Sequence, residues 1–341
     1  MSSANTQNPA QLPWDPNCSR FPVRKDLPRL PDAPEGAAWV WGEDDQNGRL
    51  NLLTPQRVKE SAAEILTGEM VRLDLPLTVP EKPAFGRETF QHNIKTIVPD
   101  VAYDDIYSMN TQSGTQWDGF RHDYTNPNIN GDYQFSHIPT KTFYNRTKSS
   151  DIVGPTSNDR CSIHHWALHG IAGRGILLDY WGYANANNKV YDPYSSHAIS
   201  LPELRACASW QGLDLRPSSE GGSIRVGDIL LVRSGFVARY GQLSPVERYA
   251  ASTRAHDNLC FAGVARGEEM KDFLHDSYFA AVAGDSPTFE MWPVKEGGGL
   301  FASESAGAVG VKRGKWTFFL TSAPANMPGG VGSHANATAI L

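Results

Sequence analysis

Residues 110–122 read NTQSGTQWDGFRH, and this stretch concentrates the polar chemistry of the chain. It places one carboxylate, Asp118, and one imidazole, His122, among small residues in a segment that favours turns. Gly114 allows the backbone to bend or to approach a ligand closely. Asp118 and His122 lie four positions apart, so their side chains either share a helical face or converge across a tight loop. The stretch therefore indicates a site built around an acid and an imidazole.

The same stretch resembles the signature of the cyclase family that includes kynurenine formamidase and isatin hydrolase. That signature is a His, any residue, Gly, Thr, His, any residue and Asp, followed by a further His four positions after the Asp. The residues that match it are Gly114, Thr115, Asp118 and His122. The two metal-binding histidines of the family fall on Gln112 and Gln116.

Other segments resemble the family in the same order, over about residues 40–330 of the chain. They are residues 41–45 (WGEDD), 50–55 (LNLLTP), 283–287 (AGDSP), 318–322 (FFLTS) and 328–330 (PGG). Each segment is short, and their common order makes the resemblance specific.

The resemblance implies an α/β protein with the kynurenine-formamidase/cyclase-like fold, in which helices surround a small central β-barrel-like core. It also implies a hydrolase of C–N bonds other than peptide bonds, of the arylformamidase type, which acts on a small aromatic formamide, amide or lactone. Through kynurenine formamidase it further implies a role in tryptophan catabolism. In the family, a divalent metal lowers the pKa of bound water and polarises the carbonyl group. The His that follows the Asp moves protons, which gives that role to His122.

The expected catalytic pair is therefore Asp118 and His122, which activate water, and Asp118 is also the one strong candidate for a metal ligand. The residues expected to bind substrate are Gln112, Thr115, Gln116, Trp117 and Asp285. Structural interpretations stay open for several of these. Asp118 and His122 could form a buried pair in a loop, Trp117 could be a core residue, and Asp285 could serve a turn before Pro287.

The two glutamines at metal-ligand positions bear directly on the cofactor. A carboxamide oxygen is a neutral, hard ligand and binds Zn²⁺ much less well than an imidazole. Asp118 and His122 alone cannot form a tight zinc site. Two options follow: a weakly bound Zn²⁺ or Mn²⁺, or no metal, with the amides orienting a carbonyl and a water. A second candidate cluster, His164, His165 and His169, lies on one predicted helix, where a solvated face is the alternative.

The segment before the last predicted strands departs from the family, which carries a catalytic His and a Glu there. Residues 291–314 contain no His, and their only carboxylates are Glu296 and Glu304. The Gly, Ala and Ser run over residues 296–311 predicts a mobile loop, because ordering such residues costs much backbone entropy. Two alternative functions therefore stay open: a metal-independent natural-product cyclase or dehydratase, and a non-catalytic small-molecule-binding relative.

Composition and charge narrow the class of protein. The chain has 341 residues, 40% of them hydrophobic, with 31 Gly and 23 Pro, which predicts a sizeable core joined by many turns and long loops. The net charge of −6 is scattered, which disfavours nucleic acid as a partner. Four separated cysteines, the lack of a secretory signal and the lack of a long apolar run predict a cytoplasmic protein without membrane contact. The expected partner is a small-molecule substrate.

The N-terminal residues suggest a separate role for the start of the chain. Residues 1–36 hold seven prolines, which fix φ and remove backbone donors. They predict a Pro-rich extended arm over residues 1–36, rather than a packed element, followed by a single cyclase-like α/β domain over residues 37–341. An extended segment gains little unless it packs on something, so the arm predicts a homodimer.

Hydrophobic patterning, caps and turn residues predict the regular elements. Helices are expected over residues 54–68, 163–170, 201–210 and 245–259. Strands are expected over residues 70–77, 175–180, 226–233, 279–283 and 316–320. Residues 80–135 are expected to form loops with short strands.

Overall fold

The structure is a computed structural model that describes residues 5–31, 33, 39–122, 136–137, 142–293 and 314–341. The strands are β1 (Met70–Arg72), β2 (Gln91–Val98), β3 (Ala102–Ser108), β4 (Gln116–Asp118), β5 (Ser136–His137), β6 (Thr142–Phe143), β7 (Ile171–Leu178), β8 (Ala198–Ile199), β9 (Ile229–Val232), β10 (Gly263–Val264), β11 (Ala281–Gly284), β12 (Thr317–Ser322), β13 (Gly332–His334) and β14 (Ala337–Ile340). The α-helices are α1 (Pro55–Ser61), α2 (Ser149–Ile152), α3 (Ile163–His169), α4 (Tyr180–Ala186), α5 (Leu201–Trp210), α6 (Phe236–Gln242), α7 (Pro245–Ser252) and α8 (Glu268–Asp276).

Six strands form the main sheet, in the order β1-β14-β12-β7-β9-β11. β7, β9 and β11 run parallel, whereas β12 is antiparallel to both β7 and β14. Within the described ranges, the edge strands β1 and β11 pair with one neighbour each and not with one another, so the sheet is open. The α/β class is confirmed, and the expected β-barrel-like core is corrected to an open mixed sheet. The sheet stays open because β1 pairs only with β14 and β11 only with β9 among the described strands, whereas a barrel would need β1 and β11 to pair with each other.

Two apolar clusters cover the two faces of the sheet. Leu177 and Leu231 belong to one cluster, whereas Ile176 and Leu230 belong to the other. This alternation is the period of two expected of strands. Every residue of β9 is buried, which explains why its sequence is a continuous apolar run rather than an alternating one.

Local sequence signals predicted several elements well. α3 ends at Gly170, which has a positive φ of 79°, and α5 begins with a capping box between Ser200 and Glu203. α1 is shorter than predicted, because a 3-10 turn over Ala62–Glu64 follows Ser61. The predicted strand over residues 70–77 contributes only β1 to the sheet.

The N-terminal arm lies against the body of the same chain in its described part, residues 5–31. Trp14 is buried in the main core, and Phe21 stacks on Tyr278 with ring centroids 4.7 Å apart. Arg24 forms ion pairs with acidic residues of α8. The described part of the arm has little regular structure beyond a 3-10 turn over Arg24–Asp26, and these contacts pack it against the rest of the chain. Aromatic residues between the prolines supply the apolar surface that holds it. The homodimer stays a prediction.

β2 and β3 form a hairpin that stands apart from the main sheet. All residues of β2 and all but Ala102 of β3 are exposed. The hairpin lies within residues 80–135, which were expected to form loops with short strands, and neither of its faces contributes to the core. Among the described residues, no helix combines the length and the apolar character needed to span a bilayer. The predicted mobile loop, residues 296–311, lies outside the described residues.

Candidate active site

The short strand β4 sorts the central residues of the signature onto two faces. Side chains alternate along a strand, so Gln116 and Asp118 lie on one face and Trp117 on the other. β4 pairs antiparallel with β13, which sets Asp118 opposite Gly332 and Gln116 opposite His334. Residues paired across an antiparallel ladder lie on the same face. The polar face therefore carries the Gln116 carboxamide and the Asp118 carboxylate. By register it also carries the His334 imidazole, which the sequence had not indicated and which is the second imidazole after that of His122.

A tight turn after β4 brings His122 back to Asp118. The His122 backbone N–H donates to the Gly119 carbonyl oxygen at 2.9 Å, and His122 Nε2 lies 3.7 Å from Asp118 Oδ1. Gly119 is needed here, because a Cβ atom would lie 2.5 Å from the Val331 carbonyl oxygen. Of the two arrangements open from the spacing, the structure shows the tight loop.

Two residues inside the turn anchor it to the core. The Phe120 ring stacks on Tyr144 with centroids 4.1 Å apart. Arg121 is buried, and its guanidinium donates to three backbone carbonyl oxygens, those of Asn158, Arg160 and Gly329. These contacts fix the backbone on which His122 is carried. Sequence reasoning missed both anchors, since a Phe and an Arg in a turn carry no signal of their partners.

Asp118 has unusual electrostatics because it is 8% exposed. Burial raises its pKa from 3.8 to about 7, and the positive charge of Arg87 and a hydrogen bond from Gln116 oppose part of that rise. The Gln116 Nε2 amide donates to Asp118 Oδ2 at 3.4 Å. Within the described part of the chain, Asp118 Oδ1 and Gln116 Oε1 have no hydrogen-bond partner. A carboxyl group that titrates near neutral pH and keeps an open oxygen is suited to handling protons.

A cavity with a volume of about 60 Å³ lies beside residues 112–115 of the signature. Residues of the signature and of the segment after β1 form one side, and residues of α6 and α7 form the other. Of the expected substrate-binding residues, the lining includes Gln112, Thr115 and Asp285. In the described part of the chain, it does not include Gln116, Asp118 or His122.

Arg87 and Gln112 link the cavity to Asp118. Both residues line the cavity, and Arg87 Nη1 donates to the Gln112 carbonyl oxygen at 2.6 Å. Gly332 is the residue paired with Asp118 across the β4–β13 ladder. The Gln112 side chain packs against Gly332, with its Nε2 atom 2.8 Å from the position that a Cβ atom of that residue would occupy. Arg87 was not predicted from the sequence, because it reaches the site through tertiary contacts alone.

The aromatic wall of the cavity is not the one expected. Tyr194 stacks on Phe236 at 4.6 Å, and Phe236 meets Phe261 edge to face at 5.7 Å. Trp117 lies in the core instead, where its Nε1 donates to Ser322 Oγ at 2.7 Å. Trp117 lies on the other face of β4 and is not among the described residues that line the cavity, so its role in substrate binding stays a prediction.

Thr115 and Asp285 hold the walls of the cavity. The Thr115 hydroxyl accepts a hydrogen bond from the Leu75 backbone N–H at 2.9 Å. The Asp285 carboxylate accepts hydrogen bonds from the Ser234 backbone and hydroxyl and from the Gly235 backbone, at the start of α6. Burial raises the Asp285 pKa, and these donors oppose the rise. Both side chains are already engaged, so they position the cavity.

The residues around Asp118 do not fit a zinc site. Asp118 has near it the His122 imidazole, the His334 imidazole by strand register and the neutral Gln116 carboxamide, and catalytic zinc usually needs three strong ligands gathered around one ion. Among the described residues, only one group of three or more His, Cys, Asp or Glu side chains lies within 4.8 Å, and it lies elsewhere. That group is Asp159, His164 and His165. The third histidine of the predicted cluster, His169, bonds to the Gly170 carbonyl oxygen instead.

We therefore expect the protein, after dialysis against a chelator, to retain far less than one equivalent of Zn²⁺ or Mn²⁺ per chain. The physical reason is that Gln112 and Gln116 stand where tight binding requires imidazoles. Elemental analysis of the dialysed protein measures this directly. A full equivalent that survives the chelator would show that a tight site exists after all.

Comparison with known proteins gives a consistent result. A family model described as putative cyclase matches residues 71–291. A solved structure described as a novel cyclase superposes with a TM-score of 0.68 at 23% identity, covering 88% of this chain and 98% of that chain. An isatin hydrolase bound to the product analogue thioisatinate superposes with a TM-score of 0.50 at 14% identity, covering 85% and 97%. Isatin hydrolase A from Labrenzia aggregata, bound to benzyl benzoate, has a TM-score of 0.50 at 14% identity, covering 80% and 93%. Comparison with curated proteins gives no match.

Proposed function

The chain belongs to the putative cyclase family, and from that premise we propose that it is a hydrolase of a small aromatic formamide, amide or lactone. The observation that carries the proposal is the buried Asp118, whose pKa is raised to about 7 and whose open Oδ1 lies 3.7 Å from His122 Nε2. In this pair His122 accepts a proton, and the negative charge of Asp118 stabilises the imidazolium that forms. Two solved structures that share the fold are isatin hydrolases, which supports hydrolysis as the reaction class.

The proposed reaction is direct attack of water on the substrate carbonyl carbon. His122 Nε2 takes a proton from the attacking water, and the ionised Asp118 stabilises the imidazolium that forms. The tetrahedral intermediate then collapses with cleavage of the carbonyl C–N or C–O bond, and the imidazolium returns the proton to the leaving atom. The amide groups of Gln112 and Gln116 orient the carbonyl and the water through hydrogen bonds.

The cavity supports an aromatic substrate with a carbonyl or carboxylate group. Tyr194, Phe236 and Phe261 offer ring faces and edges to a planar molecule. Arg87 lines the cavity, and its charge lowers the pKa of Asp118, so it supplies a cation that can bind a carbonyl or carboxylate oxygen near the acid–base pair.

Substitution Arg87→Met is expected to lower kcat/KM by roughly 10- to 100-fold, the usual loss for a hydrogen bond to a charged group. It is also expected to move the acidic limb of the pH–rate profile to higher pH, because the Arg87 charge lowers the pKa of Asp118. The matched control is Arg248→Met, since Arg248 lines the same cavity and its charge is not among the causes that shift the pKa of Asp118. Steady-state kinetics across a pH series measures both effects. Equal losses in the two variants, with no shift of the profile, would count against the role of Arg87.

A second function is favoured by the pair of glutamines at the metal-ligand positions. The same acid–base pair without a metal suits a cyclase or dehydratase acting on a natural-product intermediate. A dehydratase removes one water from its substrate, whereas a hydrolase adds one, so product mass separates the two reactions.

The test of the proposed function is a screen of N-formyl arylamines, cyclic aryl amides and aryl lactones, with products identified by mass spectrometry. We expect turnover of at least one class with the addition of one water. Binding of these compounds without turnover would identify the non-catalytic relative, and loss of one water from a substrate would identify the dehydratase.

A further inference from the structure

A second group of metal-binding side chains lies at the start of α3, outside the cavity. One ligand atom each of Asp159, His164 and His165 lies within 4.8 Å of the other two. Around a tetrahedral zinc ion, with bonds of about 2.0–2.2 Å, ligand atoms are separated by roughly 3.4 Å. The three ligand atoms therefore need to approach one another by at most about 1.4 Å to bind one ion.

Hydrogen bonds fix which nitrogen of each histidine carries the proton. His164 Nδ1 lies 2.6 Å from Asn326 Oδ1, and His165 Nε2 lies 2.9 Å from the Asp159 carbonyl oxygen. A carbonyl oxygen only accepts, so each of these nitrogens is the donor. The other nitrogen of each ring, His164 Nε2 and His165 Nδ1, keeps its lone pair. Metal-bound histidines in proteins are oriented in this way, with the second nitrogen donating to an oxygen.

The backbone that carries Asp159 is held by groups already described. The Ser162 N–H donates to the Asp159 carbonyl oxygen at 3.0 Å, which closes a turn before α3. On either side of Asp159, the carbonyl oxygens of Asn158 and Arg160 accept from the buried Arg121. The Asp159 backbone and the two imidazole rings therefore start from a fixed arrangement, which lowers the entropy cost of binding an ion.

We propose that Asp159, His164 and His165 form a binding site for Zn²⁺ or a chemically similar divalent transition metal, with water completing the coordination. Two imidazoles and one carboxylate suit Zn²⁺, Ni²⁺ and Cu²⁺, whereas Mg²⁺ and Ca²⁺ prefer sites made only of oxygen atoms. A bound ion ties the turn at Asp159 to the first turn of α3 and, through His164, to Asn326. The site is structural and exchangeable, and it does not depend on the proposed reaction.

The test is calorimetric titration of chelator-treated protein with ZnCl₂, and with MgCl₂ for comparison. We expect one equivalent of Zn²⁺ to bind and Mg²⁺ not to compete. His164→Ala and His165→Ala are each expected to weaken Zn²⁺ binding by at least tenfold, the scale of effect seen when metal-site interactions are removed. The matched control is His169→Ala, on the same helix but bonded to the Gly170 carbonyl oxygen, which is expected to bind Zn²⁺ like the wild type.

Asp118→Asn separates this site from the candidate active site, and it is expected to leave Zn²⁺ binding unchanged. Asn326→Ala keeps all three ligands and is expected to weaken binding, because His164 loses the acceptor that fixes its tautomer. Circular dichroism of each variant confirms that it is folded. The proposal is overturned if the wild type binds no Zn²⁺, if His164→Ala and His165→Ala bind it as tightly as the wild type, or if Asp118→Asn abolishes binding.

Discussion

Asp118→Asn is expected to lower kcat by roughly 10²- to 10⁴-fold and, at the same time, to stabilise the fold above neutral pH. The loss of rate follows because a carboxamide cannot carry the negative charge that holds the His122 imidazolium during proton transfer. The Asp and Asn side chains have nearly the same size and shape. Its kinetic effect therefore reports on charge and proton affinity, and it is measured as initial rates on the best substrate of the screen.

The gain in stability follows from the pKa of Asp118. Burial raises that pKa from 3.8 to about 7, so the folded protein holds a proton that the unfolded chain releases. The free energy of unfolding therefore falls as the pH rises from about 4 to about 7, and the full penalty is present above that range. A shift of this size corresponds to on the order of 4 kcal/mol. Asn has no charge to bury, so the variant avoids the penalty at about pH 8 and gains nothing at about pH 4.

Urea unfolding of wild type and variant at the two pH values measures this difference. The control is Asp214→Asn, because Asp214 is an exposed carboxylate whose pKa is lowered by its hydrogen bonds with Arg216. The control is not expected to gain stability at high pH. An Asp118→Asn protein that turns over substrate at the wild-type rate, with no gain in stability at about pH 8, would refute both parts of the prediction.

The fold could be predicted from sequence where local signals determine structure. The glycine after α3 and the capping box of α5 depend on neighbours in the chain, and both helices lie where expected. The start of β7 was missed, because Ile171 joins the strand by pairing with Ser322 of β12, far along the chain. The open sheet in place of a barrel has the same origin, since strand order depends on pairings between distant segments. Short strands were expected among the loops of residues 80–135, but the β2–β3 hairpin could not be located there, because its faces are not buried and leave no alternating apolar pattern.

The part of the candidate site that lies within residues 110–122 was predictable from the sequence. The structure brings Asp118 and His122 together, and their spacing with the intervening glycine allowed this to be anticipated. The direction of Trp117 follows once Gln116–Asp118 is known to be a strand, but three residues in a turn-rich stretch give too short a pattern to reveal it. Arg87 and His334 were missed because only tertiary contacts and strand register bring them to the site.

His122→Ala is expected to lower kcat by roughly 10²- to 10⁴-fold, the usual contribution of one acid–base group. An unperturbed imidazole titrates near 6.5, so it can take and return a proton near neutral pH. His122→Gln is expected to do nearly as much damage, because an amide keeps a hydrogen bond but exchanges no proton in this range. The matched control is His169→Ala, which removes an exposed histidine outside the cavity and is expected to leave kcat unchanged.

The central claim is that His122 carries the proton in a reaction that needs no tightly bound metal. The measurement that tests it most directly is kcat for chelator-dialysed wild type and His122→Ala on the same substrate, with circular dichroism to show that both are folded. We expect the dialysed wild type to keep its turnover and His122→Ala to lose two to four orders of magnitude in kcat, the usual contribution of an acid–base group. A folded His122→Ala protein with near wild-type turnover, or a wild type inactivated by the chelator and restored by added metal, would contradict it.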